Sequence, residues 1–538
     1  MERPFLIFLA TICLAASADL RAENVYSPGG WATLHRGPAN RKLVPDVTLS
    51  DDYRIWTALA GSAVLTAPTM SPDGRTLYVT TGRAAGNSNL VAFDLDGELL
   101  WQSEPWQGPN RGVDPCAMLS SVIVDREGDL YIGDCNQLFA FREDGSMKWV
   151  VPLPSIRAGD WKASETIPIN ALTTAVFTRE GHLLGVTNAG DVILVDRETG
   201  RSLADPMRLP GRVPPRSTTV PMPESVFSGG LVDPQIREWV WQLFFGGAMR
   251  STNTPAVDLE TGRIFVAATS ETEGRGALYG LDLIARGDRF EISIGFAAEM
   301  GPGSGSSPSL SASGEVVYVS DETGLFYAID ARSGALRWQV QTKSTAAAAA
   351  VGSNGDIYSL QADAPALVAI SRDGRIRWQS DLQALADAAL PSSWLLGDPV
   401  AIGNGNPTVV SGVGNVDGDI VLVPVVYGYE TRLGRKIPWL VQSVLVAVDA
   451  KTGRGLRNVV MLADDSTGIT SVLPDGTIIS SLGTAMTSGL APLAGLADWL
   501  LPKGFHPLRT VGGIQVSRPR TERSKPTNVD PDPESPPS

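Results

Sequence analysis

Apolar segments of this chain come in pairs. The run from Pro68 to Thr80 breaks once, at Asp73-Gly74, and resumes with a large residue, Tyr78, on its return. The same arrangement recurs from Ser120 to Gly133 at Glu127-Gly128, from Thr173 to Val186 at Glu180-Gly181, and from Pro255 to Ala267 at Thr261-Gly262. It continues from Pro308 to Val319 at Ser313-Gly314 and from Ala347 to Ser359 at Asn354-Gly355. The last copies run from Val409 to Val423 at Asp417-Gly418 and from Ile469 to Ser480 at Asp475-Gly476. Short apolar runs bounded by a polar-Gly step predict β-hairpins, and glycine is required because such turns demand a positive φ. Eight hairpins in series predict one repeat architecture rather than several globular domains. Tyr78, Tyr131, Phe265, Tyr318 and Tyr358 on the return strands are expected to stack between neighbouring units.

A second pattern follows most hairpins: an apolar pair, a polar residue, a turn with Gly, then Trp. It reads Ala92-Phe93-Asp94 with Gly97 and Trp101, and Ala140-Phe141 with Asp144-Gly145 and Trp149. It returns as Ala328-Ile329-Asp330 with Gly334 and Trp338, and as Ala369-Ile370-Ser371 with Gly374 and Trp378. Versions without Trp pass through Val195-Asp196, Leu281-Asp282 and Val448-Asp449. The spacing from Ala328 to Trp338 resembles the tryptophan-docking repeat of quinoprotein dehydrogenases and of the related outer-membrane assembly lipoprotein of the Bam complex. The resemblance covers roughly Trp31 to Leu482 and implies an all-β, eight-bladed β-propeller with one four-stranded blade per step. It also implies that Trp101, Trp149, Trp338 and Trp378 wedge between neighbouring blades. An open propeller would expose raw sheet edges. Tyr53 to Thr57, with Trp56, matches the Trp strand but precedes the first hairpin, so it is expected to close the ring inside the last blade. Trp31 to Asn40, around Arg36-Gly37-Pro38, resembles the family's lead-in to that strand.

The longest step, Gly181 to Gly262, contains an insertion at about 206–250, where Asp233-Pro234 is expected to open a short helix with Trp239, Trp241, Phe244 and Phe245. Residues 1–22 read as a secretory signal: Arg3, an apolar run from Phe5 to Ala16, and small residues at Ala16-Ser17-Ala18 or ending at Ala22. That run is too short to span a bilayer, and Ile12 before Cys13 does not suit a lipoprotein site. A periplasmic or secreted protein is expected. Cleavage leaves Cys116 and Cys135, which flank a hairpin and are expected to form a disulfide. The propeller is expected to fill 23–515, and the Pro-rich, charged stretch 516–538 to be a disordered tail.

The formal net charge of −14 argues against a nucleic-acid partner, which needs a basic face. The 3 histidines, His35, His182 and His506, are scattered and suggest no metal triad or Ser-His-Asp set. Quinoprotein resemblance directs attention to a vicinal cysteine pair over the quinone, Glu and Asn ligands to calcium, and an Asp base. No two cysteines are adjacent here. Segments leading into the innermost strands ring one mouth of a propeller, and they supply Asp114, Asn170, Arg250, Asn253, Ser306, Lys343, Asn404, Asn406 and Asp465. From these, Arg250, Asn253 and Lys343 are candidates to hold an anionic cofactor, and Asp114 and Asn170 to hold calcium. The leading expectation is a non-catalytic binding or scaffold propeller without a cofactor, serving a protein or envelope polymer and having no membrane span. The alternatives are a divergent dehydrogenase using pyrroloquinoline quinone and calcium, for alcohols or sugars, and a polysaccharide-binding propeller.

Overall fold

The computed structural model describes residues 25–520 apart from 61, 63, 82–89, 104–119, 135–136, 155–169, 213–248, 304, 343–347, 362–365, 386–389, 395–396, 413–417, 431–435, 465, 467 and 483–511. The signal, both candidate cysteines, the predicted helix with Trp239 and Trp241, and the tail at 521–538 therefore lie outside the described residues.

Strands pair in chain order into antiparallel sheets whose first strand lies innermost. Sheet 1 consists of Thr69–Met70, Thr76–Thr80, Leu90–Asp94 and Leu99–Gln102. Sheets 2 to 6 occupy 123–152, 176–208, 256–300, 309–341 and 350–381 with the same four-stranded order. Sheet 8 takes Thr470–Val472, Ile478–Leu482 and Gly513–Pro519, and Tyr53–Ala58 from the start of the chain becomes its outermost strand. These seven sheets have the expected blade form. Sheet 7, in contrast, is six-stranded, so the expectation of eight four-stranded blades is corrected to seven. Its strands Ile420–Glu430 and Lys436–Asp449 run past the length of a normal blade and recruit Asp398–Asn404, while Leu43–Val44 adds in parallel to its inner strand Thr408–Val410.

The glycines of the eight first-hairpin turns, Gly74 through Gly476, all have positive φ. Because every sheet turns there, the hairpin tips share one end of the ring, the turn end. The connections between successive sheets then lie at the other end, the mouth.

The apolar core is a series of wedges between sheets. Tyr78, Val124, Leu130 and Phe139 fill the space between sheets 1 and 2, and comparable clusters follow around the ring. Five of the wedges are sealed at the rim by an indole. Trp56, Trp101, Trp149, Trp338 and Trp378 donate Nε1–H at 3.0 Å to Leu95, Glu143, Arg197, Arg372 and Ala450 carbonyls of the next sheet. The ring lies on a turn glycine: a Cβ on Gly374 would stand 2.7 Å from Trp338. Sheet 4 has Phe296 there, packed on Gly334. Phenylalanine has no N–H, and Arg263, 5.6 Å above that ring, supplies the missing bond to the Arg332 carbonyl at 2.5 Å.

Two boundaries are corrected. Strand Gly513–Pro519 crosses the expected tail boundary at 515/516, with Ile514 and Val516 fully buried. Its intervening Gln515 is also buried, held by the Ala463 N–H and Met461 carbonyl, so a polar residue concealed the strand in the sequence. The expected insertion at 206–250 begins too early, since Met207–Arg208 is the outer strand of sheet 3.

The lead-in does more than precede the closing strand. Innermost strands, apart from Thr408–Val410 with Leu43–Val44 beside it, have no further strand next to them, so their outward N–H groups need another acceptor. Met70, Val124, Val257, Leu310, Val351 and Val409 donate at 2.8–3.0 Å to the carbonyls of Trp31, Ala32, Pro38, Ala39, Arg41 and Lys42. In sheet 3 the Phe177 N–H donates at 3.0 Å to the Tyr26 hydroxyl. The lead-in thus runs inside the ring and laces the inner strands together at their turn end.

Candidate functional site

With the turn end laced, the polar mouth is the place where an axial site would form. The structure describes some of its candidates and not others: Asp114, Lys343 and Asp465 lie outside the described residues.

Asn170 is buried and fully engaged. Its Nδ2 donates to the Pro154 carbonyl at 2.6 Å and to Asp191 Oδ2 at 3.2 Å, and its Oδ1 accepts from the Ala189 N–H at 3.0 Å. Asp191 is in turn gripped by Arg208, with both pairs of atoms at 2.7 Å. This node ties the approach to sheet 3 to that sheet's outer strand, so the carboxamide oxygen that a calcium ion would use already has a donor.

Arg250 behaves similarly. Its Nε donates to the Gly211 carbonyl at 2.6 Å and Nη1 to the Ala189 carbonyl at 3.0 Å, while its stem lies on Gly190. The guanidinium bridges sheets 3 and 4 through neutral acceptors. Asn253 is buried and donates to the Ala267 carbonyl at 2.5 Å and to Ser251 Oγ at 3.2 Å. Ser306 accepts from the Ser320 N–H at 3.1 Å, and Asn404 donates to the Ala366 carbonyl at 3.3 Å. Among the described residues, then, these mouth side chains hold the strand ends together; Asn406 differs, its buried Oδ1 having no hydrogen-bond partner among them. Asn170 and Arg250 are engaged with their own scaffold, and Asp114 and Lys343, which would share the calcium and quinone sites with them, lie outside the described residues.

Among the described residues, carboxylates gather at one other place. Asp125, Asp129 and Glu198 bring oxygens close enough together for a metal ion. Cations of the protein already fill the gap: Lys148 bonds Asp129 and, at 2.6 Å, Glu198, while Arg197 bonds Asp125 at 2.5 Å and Glu127 at 2.7 Å. Burial raises the Asp125 carboxyl above its usual range although Tyr131, the Asp129 N–H and Arg197 all favour its charge. This is an electrostatic clasp between sheets 2 and 3.

The mouth also carries exposed apolar surface. Trp394, in the connection from sheet 6 to sheet 7, is 83% exposed at the tip of a tight loop closed by the Ser393–Gly397 bridge. The Tyr429 hydroxyl on the prolonged part of sheet 7 donates to the Pro391 carbonyl at 2.9 Å and anchors the loop's base. Sequence reading passed over Trp394 because it belongs to no repeat; an unassigned Trp between two assigned strands is the signal that could have marked it.

Comparison with known proteins follows the repeat. The family model described as outer membrane protein assembly factor BamB matches residues 47–216 and 256–482. Among solved structures, the chain is similar to BamB from Moraxella catarrhalis, at 13% identity over 87% of this chain and 100% of that one, with a TM-score of 0.46. It is similar to a europium-containing methanol dehydrogenase at 14% identity, over 93% and 98% of the two chains, with a TM-score of 0.48. A quinohemoprotein alcohol dehydrogenase from Pseudomonas putida HK5 is 14% identical over 95% of this chain and 83% of that one, with a TM-score of 0.52. No curated protein matches the sequence. Likeness at these identities speaks to the fold alone.

Proposed function

The chain belongs to the family of the outer membrane protein assembly factor BamB, and from that premise we propose that it is a non-catalytic binding propeller of the cell envelope that holds a protein partner at its mouth. Residues 1–22 export the chain.

The observation that carries this reading is the condition of the mouth side chains. Asn170 and Arg250, the described residues best suited to an axial ligand, are consumed by carbonyls and a carboxylate of their own scaffold. Releasing either would leave buried polar groups unsatisfied. Catalysis by a bound cofactor needs convergent groups with capacity to spare, whereas a docking face needs rigid support and exposed anchors. Trp394 is such an anchor. In the sequence, Trp106, Trp161, Trp239, Trp241 and Trp499 also fall between strands that end at the mouth. The 5 docking indoles serve the ring. No helix among the described residues is long and apolar enough to cross a membrane.

Photo-crosslinking tests the assignment of the face. A photoreactive residue at Trp394 in the intact exported protein is expected to give a discrete protein adduct in envelope preparations. The same residue at Ser313, exposed on a turn-end hairpin, is expected to give none. Equal adducts from both positions, or adducts from Ser313 alone, would contradict docking at the mouth.

A further inference from the structure

Every buried side-chain nitrogen without a hydrogen-bond partner among the described residues lies in one short stretch of the lead-in. These atoms are Trp31 Nε1, both ring nitrogens of His35, and the Nε atoms of Arg36 and Arg41. The other unpartnered atoms are oxygens, most of them dispersed over the sheets. Trp31, His35 and Lys42 are 0%, 3% and 1% exposed. Lys42 Nζ donates to the Ala348 carbonyl at 2.5 Å, a neutral acceptor, and among the described residues no carboxylate pairs with it.

Ala32 N–H reaches back to the Arg36 carbonyl at 3.3 Å, Arg36 N–H reaches the Thr33 carbonyl at 3.0 Å, and His35 lies within electrostatic reach of Lys42. Asp258 is near enough to favour the charge of Arg41, but its oxygens are bonded within its own turn by the Glu260 N–H and Thr261 hydroxyl. Arg36, Asn40 and Lys42 all adopt positive φ. Such backbone strain persists only where the surroundings impose it, and it concentrates at ligand clamps and functional segments.

The chemistry of the orphaned groups is one-sided. Indole, guanidinium and ammonium groups donate and do not accept, and a neutral imidazole can donate from one nitrogen. A water molecule could accept from two of them but would leave the buried positive charge uncompensated. An anion satisfies both requirements. Four basic residues within eight positions, inside the ring of an acidic protein, are otherwise a costly choice.

We propose that the segment from Trp31 to Lys42 binds one small inorganic anion, of the phosphate, sulfate or halide class, inside the turn end of the ring. Lys42 and His35 form its centre. The anion locks the lead-in against the inner strands. This inference stands apart from the docking role of the mouth.

Thermal unfolding of the mature protein tests it. The protein is dialysed into a zwitterionic buffer containing potassium gluconate, and phosphate, sulfate or chloride then replaces gluconate at constant ionic strength. One of these anions is expected to raise stability saturably, by about a hundredfold in the folded-to-unfolded ratio at a hundredfold excess over its Kd. Lys42→Met and His35→Leu are expected to abolish that response. An unsaturable or absent response in the wild type, or an equal response in the variants, would overturn the proposal. Should neither variant fold, ion chromatography of exhaustively dialysed, then denatured wild type decides: close to one equivalent of released anion supports the site, and a trace overturns it.

Discussion

Gly374 and Trp338 show how one glycine and one indole join two sheets. Gly374 has φ +83°, and any Cβ there would press on the indole. Gly374→Ala is therefore expected to cost about 1–3 kcal/mol, and Trp338→Ala about 3 kcal/mol through the rim cavity it leaves. Once the indole is gone the clash goes with it, so the double variant should cost less than the sum by roughly 1 kcal/mol. Urea unfolding of all three variants measures this coupling, and strict additivity would show that the two residues do not act together. Lys42 makes a pH prediction at the same scale. Burial lowers its pKa from 10.5 to about 7, so between those values the unfolded chain holds a proton that the folded one lacks. Stability then rises with pH across that window, and the penalty is complete below about pH 7. In anion-poor buffer the wild type should gain stability relative to Lys42→Met as pH increases from about 7 to 10; a constant difference would mean that the ammonium is not desolvated.

At the scale of elements, ring closure depends on a strand the sequence concealed. Tyr53–Ala58 pairs along its length with Gly513–Pro519 and through it joins Ile478–Leu482. A chain ending at residue 510 should fail to give a cooperative thermal transition, because sheet 8 would lose its third strand and the amino-terminal strand its partner. A chain ending at Arg520 should melt like the full-length protein. Melting of the shorter chain at the full-length temperature would refute this closure. The hairpins and docking tryptophans were legible in the sequence because every unit repeats its turn Gly, and five of them a Trp, at similar offsets. Gly513–Pro519 was not, since it offers only two apolar residues, Ile514 and Val516, beside the buried polar Gln515 and Ser517, and no repeat hairpin immediately precedes it in the sequence. The parallel addition of Leu43–Val44 to sheet 7 was equally hidden: it pairs with residues far along the chain, Val409 and Val410. At the mouth, residue type suggested ligands, yet Asn170 and Arg250 are spent on the scaffold, and no one-dimensional signal distinguishes a polar side chain that holds a loop from one that holds a cofactor.

The whole molecule has two unlike ends. At one, the lead-in laces the inner strands of sheets 1 to 7 and brings buried basic residues inside the ring. At the other, the polar residues brace the connections while Trp394 faces solvent. That division suits a rigid body presenting one face to a partner, and the same fold supports cofactor chemistry only where mouth groups are free to converge. The most direct test incubates the purified mature protein with pyrroloquinoline quinone and calcium and follows dye-linked oxidation of alcohols and sugars together with thermal unfolding. The binding-propeller account predicts no turnover above the quinone-free control and no shift of the transition. Saturable stabilisation accompanied by turnover would contradict it and make this propeller an enzyme.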